Sequence, residues 1–88
     1  MFFREETMEI QIKLKTFDEI KEFVRACTKF PGSVDVCSER YVINGKSLMG
    51  MLSLDYNKAV YVKIRKELAA EEDVENLLKE ISSIVKNV

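Results

Sequence analysis

From Met8 the chain alternates apolar and polar residues. Met8, Ile10, Ile12 and Leu14 face one way, and Glu9, Gln11, Lys13 and Lys15 face the other. A period of two with one apolar side predicts a half-buried strand over 8–15. The period changes at Thr16. Thr16-Phe17-Asp18-Glu19 fits a capping box, in which the Thr hydroxyl accepts from the Glu19 amide and the Glu carboxylate reaches back. Ile20, Phe23, Val24 and Cys27 then follow at helical spacing, with Lys21, Glu22, Arg25 and Lys29 outside the stripe. Pro31-Gly32 is the stop signal.

Val34 and Val36, alternating with Asp35 and Cys37, predict a second strand, and Tyr41-Val42-Ile43 a third. Ser38-Glu39-Arg40 between them is short enough for a hairpin. Asn44-Gly45 is a turn dipeptide whose residues both tolerate positive φ, and Ser47 is placed to cap a helix. That helix is short and dense in Leu and Met, and Gly50 interrupts it. Residues 55–59 read as loop. Val60, Val62 and Ile64 predict a fourth strand. Val74, Leu77, Leu78, Ile81, Ile84 and Val85 keep helical spacing to the end, with Glu71, Glu72, Asp73 and Glu75 in the first turns and Lys79 and Lys86 later, which suits the helix dipole. Ala69-Ala70 is a poor cap for this helix. One apolar side per strand implies an α+β domain, an antiparallel sheet covered on one face by helices. Residues 1–7 read as a loosely ordered lead-in, and 8–88 as a single domain.

Composition narrows the function. With 47% hydrophobic and 33% charged residues and a net charge of −1, the 88-residue chain reads as soluble and globular. Acids and bases are mixed along it, so neither a basic stripe for nucleic acid nor a polybasic membrane anchor forms. No apolar run approaches the ~20 residues of a membrane span. Arg4-Glu5-Glu6 interrupts Met1-Phe2-Phe3 before a signal sequence can develop. The expected compartment is the cytoplasm, with Cys27 and Cys37 as free thiols. There is no histidine, which removes imidazole catalysis and imidazole metal ligation. Two isolated cysteines make no zinc site, and no cofactor or metal is expected.

Three motifs compete for a role. Gly45-Lys46-Ser47 resembles the end of a P-loop, but Arg40 stands where the motif needs its first glycine. The acids at 71–75 fit a solvated, dipole-matched first turn better than a metal cluster. Ser47 has no histidine to activate it and reads as an N-cap. The remaining feature is the apolar cluster Leu48, Met49, Met51 and Leu52. A helix of this length cannot turn all four inward. Methionine is common at adaptable binding surfaces, so an exposed docking patch is expected here.

Element order and the run Lys46-Ser47-Leu48-Met49-Gly50-Met51-Leu52-Ser53-Leu54 resemble HPr, the phosphocarrier protein of the bacterial phosphoenolpyruvate–sugar phosphotransferase system. The resemblance spans about residues 8–86. It implies an HPr-like open-faced β-sandwich, four antiparallel strands with three helices on one side, in the order β-α-β-β-α-β-α. It also exposes a departure. The family carries phosphate on a histidine in Gly-x-His-x-Arg-Pro before the first helix. A gapless match puts Thr16 at the histidine, Asp18 at the arginine and Glu19 at the proline, a degenerate phosphocarrier site with acids that repel a phosphoryl donor. The strand also runs almost directly into Thr16, so most of that loop is expected to be missing.

What the resemblance leaves is the regulatory serine. In HPr of low-GC Gram-positive bacteria the residue matching Ser47 is phosphorylated by a dedicated ATP-dependent kinase, and the phosphoprotein binds a transcription regulator. A catabolite-repression relative also lacks the histidine and keeps the serine. A phosphate on Ser47 would gain about 0.3–1 kcal/mol from the helix N-terminus. By the same matching, Leu48, Met49 and Leu52 fall on the family's partner-docking patch. The expectation is a non-enzymatic, HPr-related docking module in carbon regulation, switched at Ser47. Its expected partners are a serine kinase, a transcription regulator or other phosphotransferase-system proteins. The alternatives are a phosphocarrier using a residue other than histidine, and a purely structural interaction domain with Ser47 as a cap alone.

Overall fold

The computed structural model describes residues 7–66 and 69–84. The expected lead-in at 1–6 and the helix residues Val85 and Lys86 lie outside the described residues. The elements are β1 (Thr7–Ile12), α1 (Phe17–Lys29), β2 (Ser33–Cys37), β3 (Val42–Asn44), α2 (Leu48–Leu52), β4 (Val60–Arg65) and α3 (Glu71–Ile84). All strand pairs are antiparallel, and the sheet order is β1-β4-β2-β3. The last strand therefore slides between the first two, which the spacing of apolar residues does not specify.

Register follows from which side chains must be buried. Ile10, Val62, Val36 and Ile43 stand in one row across the sheet, and Met8, Ile64 and Val34 in the next. These rows meet Ile20, Phe23, Ala26 and Cys27 of α1 and Val74, Leu77, Ile81 and Ile84 of α3 in one core. The opposite face of the sheet carries Glu9, Lys63, Asp35 and Asn44 in one row and Gln11, Tyr61, Cys37 and Val42 in another. Among the described residues the helices thus cover one face only, and the architecture is the expected open-faced sandwich.

Several expectations shift by a residue or two. Thr7, assigned to the lead-in, is already in β1, because backbone pairing with Arg65 needs no apolar side chain. The strand ends at Ile12 rather than Lys15, since its partner β4 begins at Val60 opposite Ile12. Leu14 is still only 2% exposed, buried from a non-strand backbone. The third strand runs Val42–Asn44 rather than 41–43. Tyr41 is held back in the turn, where its carbonyl accepts from the Ser38 amide at 2.9 Å. On α1, Ala26 is buried although it stands outside the predicted stripe, while Val24 is half-buried. Ala26 lines the α1–α3 cleft with Phe30 and Leu77, where a small side chain lets the helices approach.

The caps explain where the helices start. Thr16 and Glu19 form the full capping box, with Glu19 N to Thr16 Oγ1 at 3.1 Å and Thr16 N to Glu19 Oε1 at 3.3 Å. The weak start expected at Ala69-Ala70 is relieved from inside α3: the Ala70 amide donates to Asp73 Oδ2 at 3.1 Å. Among the described residues no helix is long and apolar enough to cross a membrane.

Because Leu14 is buried without belonging to the sheet, Leu14→Ala should destabilise as a core truncation, by about 2–5 kcal/mol. Urea unfolding should place it beside Ile12→Ala. A loss under about 0.5 kcal/mol would make Leu14 a surface residue.

Candidate functional site

The segment from Asn44 to Leu54 is a short helix tied down at several points. It begins with a turn that uses no positive φ, among the described residues, at glycine or elsewhere. The expectation that Asn44-Gly45 exploits that freedom is therefore corrected. Asn44 Oδ1 instead accepts from the Lys46 amide at 2.9 Å, and the Asn44 carbonyl accepts from the Ser47 amide at 3.0 Å. Gly45 is required by proximity. Its amide donates to the Val34 carbonyl at 2.7 Å, and a Cβ there would lie 3.0 Å from Val34 Cγ1 and 3.4 Å from Cys27 Sγ.

Lys46 reaches back under the domain. Its Nζ donates to the Phe30 carbonyl at 2.6 Å, satisfying the residue that caps α1. Ser47 then caps α2, its Oγ accepting from the Gly50 amide at 3.1 Å. Gly50 does not interrupt α2 as expected; it is helical, and a Cβ there would stand 2.6 Å from Ile43 Cγ2. Its missing side chain lets α2 lie against β3. At the other end Ser53 Oγ donates to the Gly50 carbonyl at 2.7 Å, and the Tyr56 hydroxyl donates to the Met51 carbonyl.

This fastening sorts the four apolar side chains. Met51 is fully buried and Leu48 is half-buried against the core. Met49 is 83% exposed and Leu52 44%. The helix thus offers two apolar side chains to solvent, three residues apart and so on one side of it. α2 is five residues long with no acidic or basic side chain. Its dipole is correspondingly small, so the dipole support expected for a phosphate on Ser47 sits at the bottom of its range.

Thr16 and Asp18, where the resemblance would put the carrier site, are engaged locally at the start of α1. Thr16 and Glu19 are consumed by the capping box, and Glu19 Oε1 also accepts from the Lys15 amide at 2.7 Å. Asp18 is solvent-exposed and stands 3.9 Å from Lys21 Nζ. Lys21 Nζ also lies 5.0 Å from the ring centroid of the exposed Phe17. Only residues 13–15 separate β1 from the cap. Among the described residues, no hydrogen bond or ion pair joins Thr16 or Asp18 to Ser47.

Sequence reasoning missed Lys46 and Tyr56. Lys46 meets a carbonyl sixteen residues away, and no local signal reports it. Burial pushes the Tyr56 hydroxyl up to about 12. Burial likewise pushes the Cys27 thiol up to about 12, against the opposing pull of Lys46 and with a further push from Glu80. Cys27 and Cys37 are free thiols, the first buried and the second half-buried.

Two outcomes follow from these fastenings. Lys46→Met removes the donor and strands a carbonyl, so it should cost about 1–3 kcal/mol in chemical denaturation. An unchanged midpoint would mean that the tie contributes nothing. For pH, both Cys27 and Tyr56 hold their protons to higher pH in the folded chain than their ordinary 9.0 and 10.0. Their contribution is intact below about pH 9 and is lost as pH rises toward about 12, because the unfolded chain ionises first. Unfolding at about pH 11 should therefore need less urea than at about pH 8, and a flat profile would contradict the burial of both groups.

The comparisons with known proteins bear on this architecture. The family described as "PTS HPr component phosphorylation site" matches residues 18–87. No curated protein matches the sequence. Among solved structures, the chain is similar to HPr-C-His from Thermoanaerobacter tengcongensis, at 27% identity and a TM-score of 0.68, covering 96% of this chain and 99% of that one. It is also similar in fold to a phosphocarrier protein HPr from Bacillus anthracis str. Ames, at 17% identity and a TM-score of 0.63, covering 88% and 99%. With nearly all of its described core inside the matched span, the chain belongs to the HPr family of the phosphotransferase system, whose members are phosphocarrier proteins and not enzymes.

Proposed function

We propose that this chain is a regulatory docking member of the HPr family rather than a histidine phosphocarrier. The observation that carries the reading is a contrast between two places. The chain has no histidine to carry a phosphoryl group, and Thr16 and Asp18 stand where the resemblance would put the carrier site. The Ser47 region, by comparison, is built with care: a capped, fastened helix with Met49 and Leu52 turned to solvent. Leu48, half-buried against the core, completes the docking patch in this reading.

Ser47 is the switch in this reading. Its hydroxyl accepts one backbone hydrogen bond and retains its own proton for transfer. A phosphate there adds close to two negative charges beside an uncharged apolar patch, so it changes which surfaces can dock. The partners are proteins: other phosphotransferase-system proteins, a serine kinase and a transcription regulator, acting in the cytoplasm. A carrier role through another residue has less support, since Ser47, Thr16 and Cys27 lack an activating base and the Cys27 thiol is held protonated.

The test is a pull-down of the transcription regulator of low-GC Gram-positive bacteria. It uses the chain before and after treatment with ATP and an HPr serine kinase, with intact mass read in parallel. One added phosphate, absent in Ser47→Ala, together with binding that Met49→Glu weakens at least about tenfold, is the expected result. Normal binding by a folded Met49→Glu protein would remove the docking patch. Absence of the phosphate would reduce Ser47 to a helix cap. Label acquired from phosphoenolpyruvate and enzyme I would restore the carrier reading.

A further inference from the structure

The uncovered face of the sheet has an order of its own. Its central row runs Glu9, Lys63, Asp35, Asn44 across β1, β4, β2 and β3. The adjoining row runs Gln11, Tyr61, Cys37, Val42. Val42 is 68% exposed and Tyr61 38%, so Tyr61, Cys37 and Val42 form a mostly apolar strip beside Gln11, on a face over which no helix lies among the described residues. On the far side of the charged row Arg65 Nε lies 3.4 Å from Asp35 Oδ2. Charge thus alternates along the first row, while the second is uncharged.

An alternating row can be its own complement. We propose that this face pairs with the same face of a second copy, about a two-fold axis that runs with the strands between β4 and β2. That operation lays β4 of one copy over β2 of the other. It sets each Lys63 against the other copy's Asp35, and each Tyr61 against the other copy's Cys37. Gln11 then covers Val42, Glu9 meets Asn44, and Arg65 meets Ser33. No like charges are opposed. Other axes along the strands are worse. An axis over β4 sets Lys63 on Lys63 and Glu9 on Asp35. An axis over β2 sets Asp35 on Asp35. An axis between β1 and β4 pairs Glu9 with Lys63 but leaves Cys37 and Val42 uncovered. Stacked sheets sit about 10 Å apart, within reach of Lys, Asp and Tyr side chains meeting from both sides. Strand directions that nearly coincide, as this axis requires, are those of aligned sheet packing.

The size of the face sets the strength. Four strands of three to six residues span about 15 by 20 Å, a footprint of about 300 Å². That is well under the ~800 Å² per partner of a standard stable interface, so the dimer is weak and forms only in concentrated solution. It leaves α2 free, because α2 belongs to the covered side of the sheet.

Sedimentation of the full chain from about 10 μM to about 1 mM at low salt tests this. The expected result is a reversible monomer–dimer equilibrium in the upper part of the range. Asp35→Lys and Lys63→Asp should each raise the dimer Kd at least about tenfold, and the double exchange Asp35→Lys/Lys63→Asp should bring it back. Met49→Glu should leave it unchanged, which separates this face from the α2 patch. A monomer throughout would overturn the proposal. So would a dimer indifferent to both single substitutions, or a folded double exchange, checked by circular dichroism, that stays monomeric.

Discussion

The structure depends on β4 lying between β1 and β2. Val60, Val62 and Ile64 are all buried, and each pairs across to an apolar residue of β1 while Val62 and Ile64 do so to β2 as well. A strand with neighbours on both sides loses all its backbone polar groups to the ladder, and its apolar face is covered from above. Once β4 is there, β1 and β2 run in the same direction two places apart. Helix α1 must cross over to join them, and β3 is left at the edge. The outer position of β3 brings α2 down beside Ile43, where the missing side chain of Gly50 permits contact.

The candidate site inherits its rigidity from that arrangement. Gly45 sits close against Val34, which β4 holds in the sheet, and Lys46 is anchored to the end of α1. Ser47 therefore stands between two fixed points before α2 begins. With Met51 locked in the core, the helix cannot roll, and Met49 stays outward. Exposure of a methionine on a single turn of helix would carry little meaning on a loose loop. On a segment fastened at Phe30, Val34, Ile43 and Tyr56 that exposure is a fixed feature of the surface.

The Thr16 region, where the resemblance would place the carrier site, is also shaped by local packing. Thr16 and Glu19 close the first turn of α1 by satisfying each other, leaving neither side chain directed at a substrate. Thr16 is thus taken up in helix capping, while α2 leaves Met49 and Leu52 exposed.

The elements themselves were legible from residue pattern, because burial on one side imposes a period of two on strands and about 3.6 on helices. The Thr16–Glu19 capping box and the Ser47 cap could be read directly, since both act within a few residues. The split of the apolar cluster could be foreseen in kind but not in detail: the length of α2 requires some exposure, yet only packing decides that Met51 goes in and Met49 out. Strand order, the Lys46–Phe30 tie, the burial of Leu14 beyond its strand and the reason for Gly45 and Gly50 were invisible. Each depends on a contact between residues far apart in the chain, and periodicity carries information only about neighbours. Residue pattern alone sets which faces are apolar, where α1 and α2 are capped and that no histidine is present. Which strand fills the middle of the sheet, and which side chains of α2 stay exposed, follow only from closing distant segments around one core.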